Sequence, residues 1–369
     1  DALHRPVDRI VVLDGGRIIA DLPPEAILSS GVLRQTGIRE PLYISALRYA
    51  GISIGAENRP ADPETLVFDR ERLLAWDQGF TDPVPEPPRG AVLEIRDLSF
   101  QYPGDMDGRS VLEGISLTIN RGESVSLVGK NGAGKSTLAK LICGFFMPTT
   151  GSILFEGRDL RSMSIKERAG HIGYVTQNPN QMISFPMIFD EIALGPRTRG
   201  LGDGEIRDRV HEILRVCGLY PFRNWPVNAL SYGQKKRLTI ASILVTGPSF
   251  LILDEPTAGQ DYRHYTEFME FLRRLNRERG LTLFLITHDM HLMLEYTTRA
   301  VVLSEGKSVL RPGADDSPAA ILTDDKIIAR ANLKRTSLYD LALRAGIGDP
   351  RRFIGHFIRH EREIREASL

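Results

Sequence analysis

The octapeptide GKNGAGKS, Gly129 to Ser136, sets glycines, a lysine and a hydroxyl at a spacing suited to phosphate. It fits G-x-x-x-x-G-K-[ST], in which the glycines let backbone N–H groups turn inward around phosphate oxygens. The apolar run SVSLVG (124–129) precedes it and KSTLAKLICGF follows, so it reads as the turn between a strand and a helix. A helix N-terminus adds partial positive charge there. On this reading Lys135 reaches the β- and γ-phosphates and Ser136 holds Mg²⁺. That setting disfavours the plainer alternative of a glycine-rich turn with an incidental lysine.

A second group complements the first. FLILDE (250–255) is a short apolar strand ending in two carboxylates. Asp254 is placed to bind Mg²⁺ through water, and Glu255 to orient and polarise an attacking water. Together the two sites imply nucleotide hydrolysis.

Around them runs an α/β pattern. FLILDE and LTLFLIT (281–287) read as buried parallel strands, and EIRDRVHEILRVC (205–217) as an amphipathic helix. The 369 residues suffice for about two domains, and 42% hydrophobic with 25% charged residues describes a folded chain. Lys plus Arg equals Asp plus Glu at 47 each, so bulk charge gives no reason to expect a nucleic-acid partner. Cys143 and Cys217 provide no disulfide framework and read as buried small hydrophobes. No apolar run approaches the ~18 residues that span a bilayer, and no leader pattern opens the chain. Any membrane role is therefore expected to be peripheral.

Between and beyond these groups stand LSYGQKKR (230–237), Gln177 and Thr287-His288. In order and type the set resembles the ATP-binding cassette (ABC) ATPases over roughly residues 93 to 322. The resemblance implies a P-loop NTPase fold of ABC type. Its parts are a RecA-like core with a mixed, mainly parallel sheet, an antiparallel β subdomain and an α-helical signature subdomain. It implies that Gly129, Asn131, Gly132, Gly134, Lys135, Ser136 and Thr137 hold the phosphates of ATP, and that Tyr102 stacks on adenine. Ser136, Gln177 and Asp254 would serve Mg²⁺; Glu255, His288, Gln177 and Lys135 would be catalytic. Ser231, Gly233 and Gln234 would cap the γ-phosphate of a nucleotide held by a second cassette, with Ala258 to Asp261 as the D-loop. Tyr232 departs from the family's usual glycine but leaves the helix N-terminus intact.

The chain also repeats itself. VDRIVVLDGGR (7–17) matches TTRAVVLSEGK (297–307) at an offset of 290 residues, with Leu13 on Leu303. PPEAIL (23–28) then matches SPAAIL (317–322), and LYISALRYAGI (42–52) matches LYDLALRAGI (338–347). Residues 1–56 are therefore expected to be the tail of a first cassette. Its equivalent of His288 is expected three residues ahead of Asp1. Residues 57–91 read as a Pro-rich linker with a short helix capped by Asp62, residues 92–330 as a complete cassette, and 331–369 as a helical extension. RRFIGHFIRHEREIRE (351–366) has Phe353, Phe357, Ile354 and Ile358 at helical spacing. Cassette–cassette contact is the first expectation for this helix, and a lipid surface the rival.

QNPNQMISFPMIFDEIALGP (177–196) and TAGQD (257–261) are similar to the tandem ATPases of energy-coupling-factor (ECF) transporters. That resemblance implies a peripheral subunit at the cytoplasmic face of the membrane. It would dock through Asn178–Asp190 on a transmembrane coupling protein that works with a substrate-binding membrane subunit. Vitamins or transition-metal ions would be the cargo. The alternatives are another ABC transporter, or a soluble tandem ATPase acting on ribosomes. The latter usually carries a long charged helical linker, unlike the Pro-rich one here.

Overall fold

A computed structural model describes residues 7–82, 89–104, 110–311 and 313–367. Pro83, Pro85, Pro87 and Pro88 of the expected extended linker lie outside the described residues.

The chain opens with an antiparallel hairpin, β1 (Ile10–Asp14) and β2 (Arg17–Leu22), turned by Gly15 and Gly16 at positive φ. Helices α1 (Pro24–Ser30), α2 (Val32–Gln35), α3 (Leu42–Tyr49) and α4 (Arg70–Gln78) follow. The short helix begins seven residues later than an Asp62 cap predicts, at Arg70. The Asp62 carboxylate instead accepts from the Glu64 N–H and the Thr65 hydroxyl, closing a local turn. Asp69 caps α4, accepting from the Arg72 N–H.

The antiparallel sheet holds β3 (Ala91–Phe100), β4 (Leu112–Asn120), β6 (Thr150–Phe155) and β7 (Arg158–Asp159) in the order β4-β3-β6-β7. Between these strands in sequence lie β5 (Ser124–Gly129) and α5 (Lys135–Cys143). The helical layer comprises α6 (Ile165–Arg168), α7 (Ile188–Thr198), α8 (Asp203–Val216) and α9 (Tyr232–Leu244), with strand β8 (Ile172–Val175) placed after α6. Ile192, Val210, Leu214 and Leu238 are buried together in its core, as the helical spacing of the apolar residues requires.

Next come β9 (Phe250–Asp254), α10 (Tyr262–Arg279), β10 (Thr282–Ile286), α11 (Met290–Tyr296), β11 (Arg299–Ser304) and β12 (Lys307–Ser308). The main sheet has the order β12-β11-β5-β10-β9-β8 and is parallel except at β12. β5 lies between β11 and β10 and every residue of it is buried, which explains its unbroken apolar reading. Gly129, Asp254 and Thr287 come together at the carboxyl ends of neighbouring strands, where open parallel sheets form ligand crevices.

The chain closes with α12 (Pro318–Ile321), α13 (Asp325–Ala331), α14 (Ser337–Ala345) and α15 (Pro350–Ala367). α15 buries Phe353, Ile354, Phe357 and Ile358 in one core with Leu42, Ile44 and Leu47 of α3 and with Leu338 and Leu341 of α14. Tyr49 packs on Phe357, and Trp76 on Phe353. The amphipathic helix is as the spacing predicts. These four side chains of its apolar face are covered by this chain.

The two repeat copies differ in what surrounds them. β11 is paired on both edges, by β12 and in parallel by β5. Among the described residues β1 pairs with β2 alone. Leu303 of β11 is 0% exposed, whereas its counterpart Leu13 is 66% exposed and faces Ile18, at 63%, across the hairpin.

Candidate functional site

The loop between β5 and α5 has the backbone its sequence demands. Gly129 stands at φ 149, and a Cβ there would fall 2.1 Å from the Leu303 carbonyl oxygen. Gly134 stands at φ 99, with Leu112 Cδ2 2.6 Å from the same added atom. Gly132, at φ 81, has open space beside it. No side chain caps α5, so its first amides point outward as an anion-binding end.

Lys135 is buried, and its ammonium donates to the Gly129 carbonyl at 2.8 Å and that of Lys130 at 3.1 Å. Burial pulls its pKa below the ordinary lysine value, against the raising pull of Glu255 and Asp254. Ser136 is exposed at the helix start and Thr137 is buried behind it. The Tyr102 hydroxyl lies 3.0 Å from Thr137 Oγ1, and its ring packs edge-on against Phe100 and Phe146. The aromatic expected at adenine therefore stands beside the first turn of α5 and is exposed, at 37% for the residue.

Opposite this loop, β9 and β10 deliver the acids and the histidine. Asp254 ends β9 and accepts from the Tyr174 hydroxyl at 3.0 Å. The sequence did not single out Tyr174, because in a four-residue strand its alternation gives no hint of a carboxylate on β9. Burial, then Asp254, pushes the Tyr174 hydroxyl above its ordinary pKa, so it stays a donor. Glu255 takes a left-handed conformation (φ 48), secured by its N–H donating to the Ile286 carbonyl at 2.9 Å. Such a backbone costs ~1–3 kcal/mol and aims the side chain out of the strand. Its Oε1 lies 2.8 Å from His288 Nδ1. Glu255 is mostly buried while His288 is largely exposed.

Gly129, Asn131, Gln177, Glu255 and His288 line one cleft of 1160 Å³. The far wall is unexpected. It is formed by residues 39–42 of the first segment and 332–337 of the extension.

Ser231, Gly233 and Gln234 do not line that cleft. Ser231 caps α9 by accepting from the Gln234 N–H, and Gln234 Oε1 accepts from the Ser231 N–H at 2.9 Å. Tyr232 leaves this helix start undisturbed and exposes its ring. Four residues on, Lys236 is buried; its ammonium donates to the Pro256 carbonyl at 2.6 Å and the Ala258 carbonyl at 3.3 Å. The nitrogen also lies 5.1 Å from the Tyr232 ring centre. Lys236 thus ties the signature helix to the loop after β9. One lysine in a basic run gave no sign of this.

In the stretch 178–190, Met182, Ile183 and Phe189 pack on the helical-layer core, while Phe185 is exposed. Buried Glu191 holds the turn by accepting from the N–H groups of Ser184 and Phe185. Cys143 and Cys217 are buried, and burial raises both thiols to about 12.

Comparison with known proteins fits this arrangement. The ABC transporter family model matches residues 112–258. The structure of cbiO1 from Clostridium perfringens, part of the ABC transporter complex cbiONQ, is 33% identical with a TM-score of 0.59. The match covers 66% of this chain and 94% of that one. This chain belongs to the ABC transporter ATP-binding family. The cassette is a P-loop ATPase domain, and a dimeric cassette bound to ADP and phosphate, MJ0796, superposes with a TM-score of 0.53 at 27% identity. That superposition covers 59% of this chain and 97% of the other.

A second family model, described as ATP-binding cassette cobalt transporter, matches residues 30–100. Relatives named as ABC transporter ATP-binding proteins in Clostridium perfringens and Enterococcus faecalis are 53% and 52% identical over 367 residues, 99% of this chain. The chain spans 63% of the length of each.

Proposed function

We propose that the chain is the motor portion of a membrane importer of ECF type, driven by ATP hydrolysis at the Lys135–Glu255–His288 site. The observation that carries this reading is the Glu255–His288 pair, held at 2.8 Å across the cleft from the Gly129–Ser136 loop. An outward-facing helix end and a buried lysine suit a triphosphate. One carboxylate, Asp254, with the Ser136 hydroxyl and the Gln177 amide suits Mg²⁺, which keeps several waters and needs few protein ligands. When bound, that ion supplies charge neutralisation on the β- and γ-phosphates.

Glu255 orients water against the γ-phosphorus and takes its proton as the new P–O bond forms. The bond from γ-phosphorus to the bridging oxygen breaks, and ADP and phosphate leave. His288, bonded to Glu255, holds that carboxylate in line and faces the γ-phosphate. Tyr102 supplies the aromatic face for adenine. Ser231, Gly233 and Gln234 stand apart from this cleft and serve the nucleotide of a second cassette. That cassette belongs to the remainder of the longer protein, of which residues 1–56 are the closing part. Residues 57–91 join that part to the cassette of 92–330, and 331–369 extend it.

The cobalt-transporter match over residues 30–100 and the cbiO1 likeness support the ECF assignment and a vitamin or transition-metal-ion cargo. The exposed Phe185 and the 178–190 stretch would meet a transmembrane coupling protein at the cytoplasmic face, with a substrate-binding membrane subunit beside it. No helix among the described residues is long and apolar enough to cross a membrane, so attachment would be peripheral. The test is ATP turnover by the full-length protein, with Glu255→Gln and Lys135→Ala, alone and co-expressed with neighbouring membrane-protein genes. Wild-type turnover no faster than either variant would remove the mechanism. Co-purification with ribosomes instead of a membrane protein would remove the transport assignment.

A further inference from the structure

Residues 30–100 match a family model but carry no catalytic motif, and one of their side chains reaches into the cassette. Arg39, just ahead of α3, donates from Nη2 to Glu295 Oε1 at 2.8 Å, 256 residues away in sequence. Its guanidinium lies over the rings of Tyr262 and Tyr265, at 4.6 and 4.9 Å from their centres. Glu295, 2% exposed, is held from the other side by Arg365 of α15, whose Nη2 donates to Oε2 at 2.9 Å. Burial opposes ionisation of Glu295, but Arg39 and then Arg365 outweigh it and keep the carboxyl below its ordinary pKa.

Position gives the contact its meaning. Glu295 lies near the end of α11, whose N-cap Asp289 directly follows His288. Tyr262 and Tyr265 form the first turn of α10, capped by Asp261 at the close of the 258–261 loop. One guanidinium therefore touches two helices that begin at the catalytic face, α10 and α11, and Arg39 itself lines the cleft. The repeat supplies a contrast. Arg335 precedes Leu338 by three residues, as Arg39 precedes Leu42, yet it pairs with Asp325 of α13 and Asp340 of α14. At this repeat position, among the described residues, it is Arg39 and not Arg335 that reaches α10 and α11.

We propose that Arg39 is a positioning residue through which the segment before the cassette sets the placement of His288 and the 258–261 loop, by clasping α11 at Glu295 and α10 at Tyr262 and Tyr265. A lysine at this position keeps the charge but loses the planar face that covers both rings. The proposal rests on the hydrolytic reading above only for its kinetic arm.

The experiment uses the complete natural protein with Arg39→Lys and Arg39→Ala. Arg34→Ala, a neighbour that pairs with Glu40 and leaves α10 and α11 untouched, is the control. Amide hydrogen exchange and ATP turnover are measured on each. In both Arg39 variants exchange should rise about tenfold in residues 258–266 and 288–296 and stay unchanged in α5 and α14. kcat should fall about tenfold with KM for ATP within about twofold. Arg39→Lys should recover melting temperature but not kcat. Unchanged exchange and turnover in the variants would overturn the proposal, and so would exchange raised uniformly through the molecule, which marks an ordinary fold anchor. A wild-type protein without turnover would count against the hydrolytic reading, while the exchange arm would still decide the role of Arg39.

Discussion

His288 Nδ1 and Glu255 Oε1 lie 2.8 Å apart, although the histidine is largely exposed and the glutamate mostly buried. Glu255 stands on a left-handed backbone, and His288 meets its carboxylate from the solvent side. Glu255→Gln keeps the hydrogen-bonding shape but cannot accept a proton from water. Turnover should fall about 10²–10⁴-fold with ATP binding retained, as checked by steady-state kinetics beside equilibrium binding. His288→Ala should fall in the same range, and the double variant should be little worse than either single one.

Lys135 offers a separate reading of nucleotide affinity. Lys135→Ala frees the carbonyls of Gly129 and Lys130 without opening the fold. ATP at 100 times its Kd should stabilise the wild-type cassette by about 2.7 kcal/mol in thermal melts and leave the variant unmoved.

Two glycines of one loop should answer differently to alanine. At Gly129 the new Cβ meets a backbone carbonyl at 2.1 Å, and nothing flexible can give way. Gly129→Ala should cost ~3 kcal/mol or more in denaturant melts, from strain and overlap together. At Gly132 only the positive φ opposes alanine, so ~1–2 kcal/mol is expected there.

Lys236 carries a pH signature. Burial lowers its pKa from 10.5 to about 8 in the folded protein. Between those values the unfolded chain binds more protons than the native one, so this residue makes stability rise with pH across that window. Below about pH 8 both states are protonated and its contribution is flat. Lys236→Gln should reduce the slope of melting temperature against pH between 8 and 10, read beside the wild type in the same buffers.

What could be read ahead of the structure follows from how local each signal is. The phosphate loop, the strands at 124–129 and 250–254 and the apolar face of α15 all declare themselves within a few residues, through turn chemistry or periodicity. Asp62 misled because Asp-Pro starts a turn as readily as a helix, and only the backbone shows that Asp69 holds the cap. Tyr174 on Asp254 and Arg39 on Glu295 span 80 and 256 residues and depend on which strands and helices become neighbours. No window of sequence contains them. The repeat was legible as a pattern, but not that its two copies would share one core through α3, α14 and α15.

The hairpin of β1 and β2 has a practical consequence. A strand edge that is unpaired among the described residues, beside Leu13 and Ile18, is a template for any extended segment that meets it, including the same edge on another molecule. Material prepared from this chain alone should form soluble aggregates that grow with concentration. A lysine in place of Leu13 should suppress them without touching the ATP site, and a companion sheet docked in parallel on β1 should make that lysine intolerable. The same substitution is then a cure in one preparation and a lesion in the other.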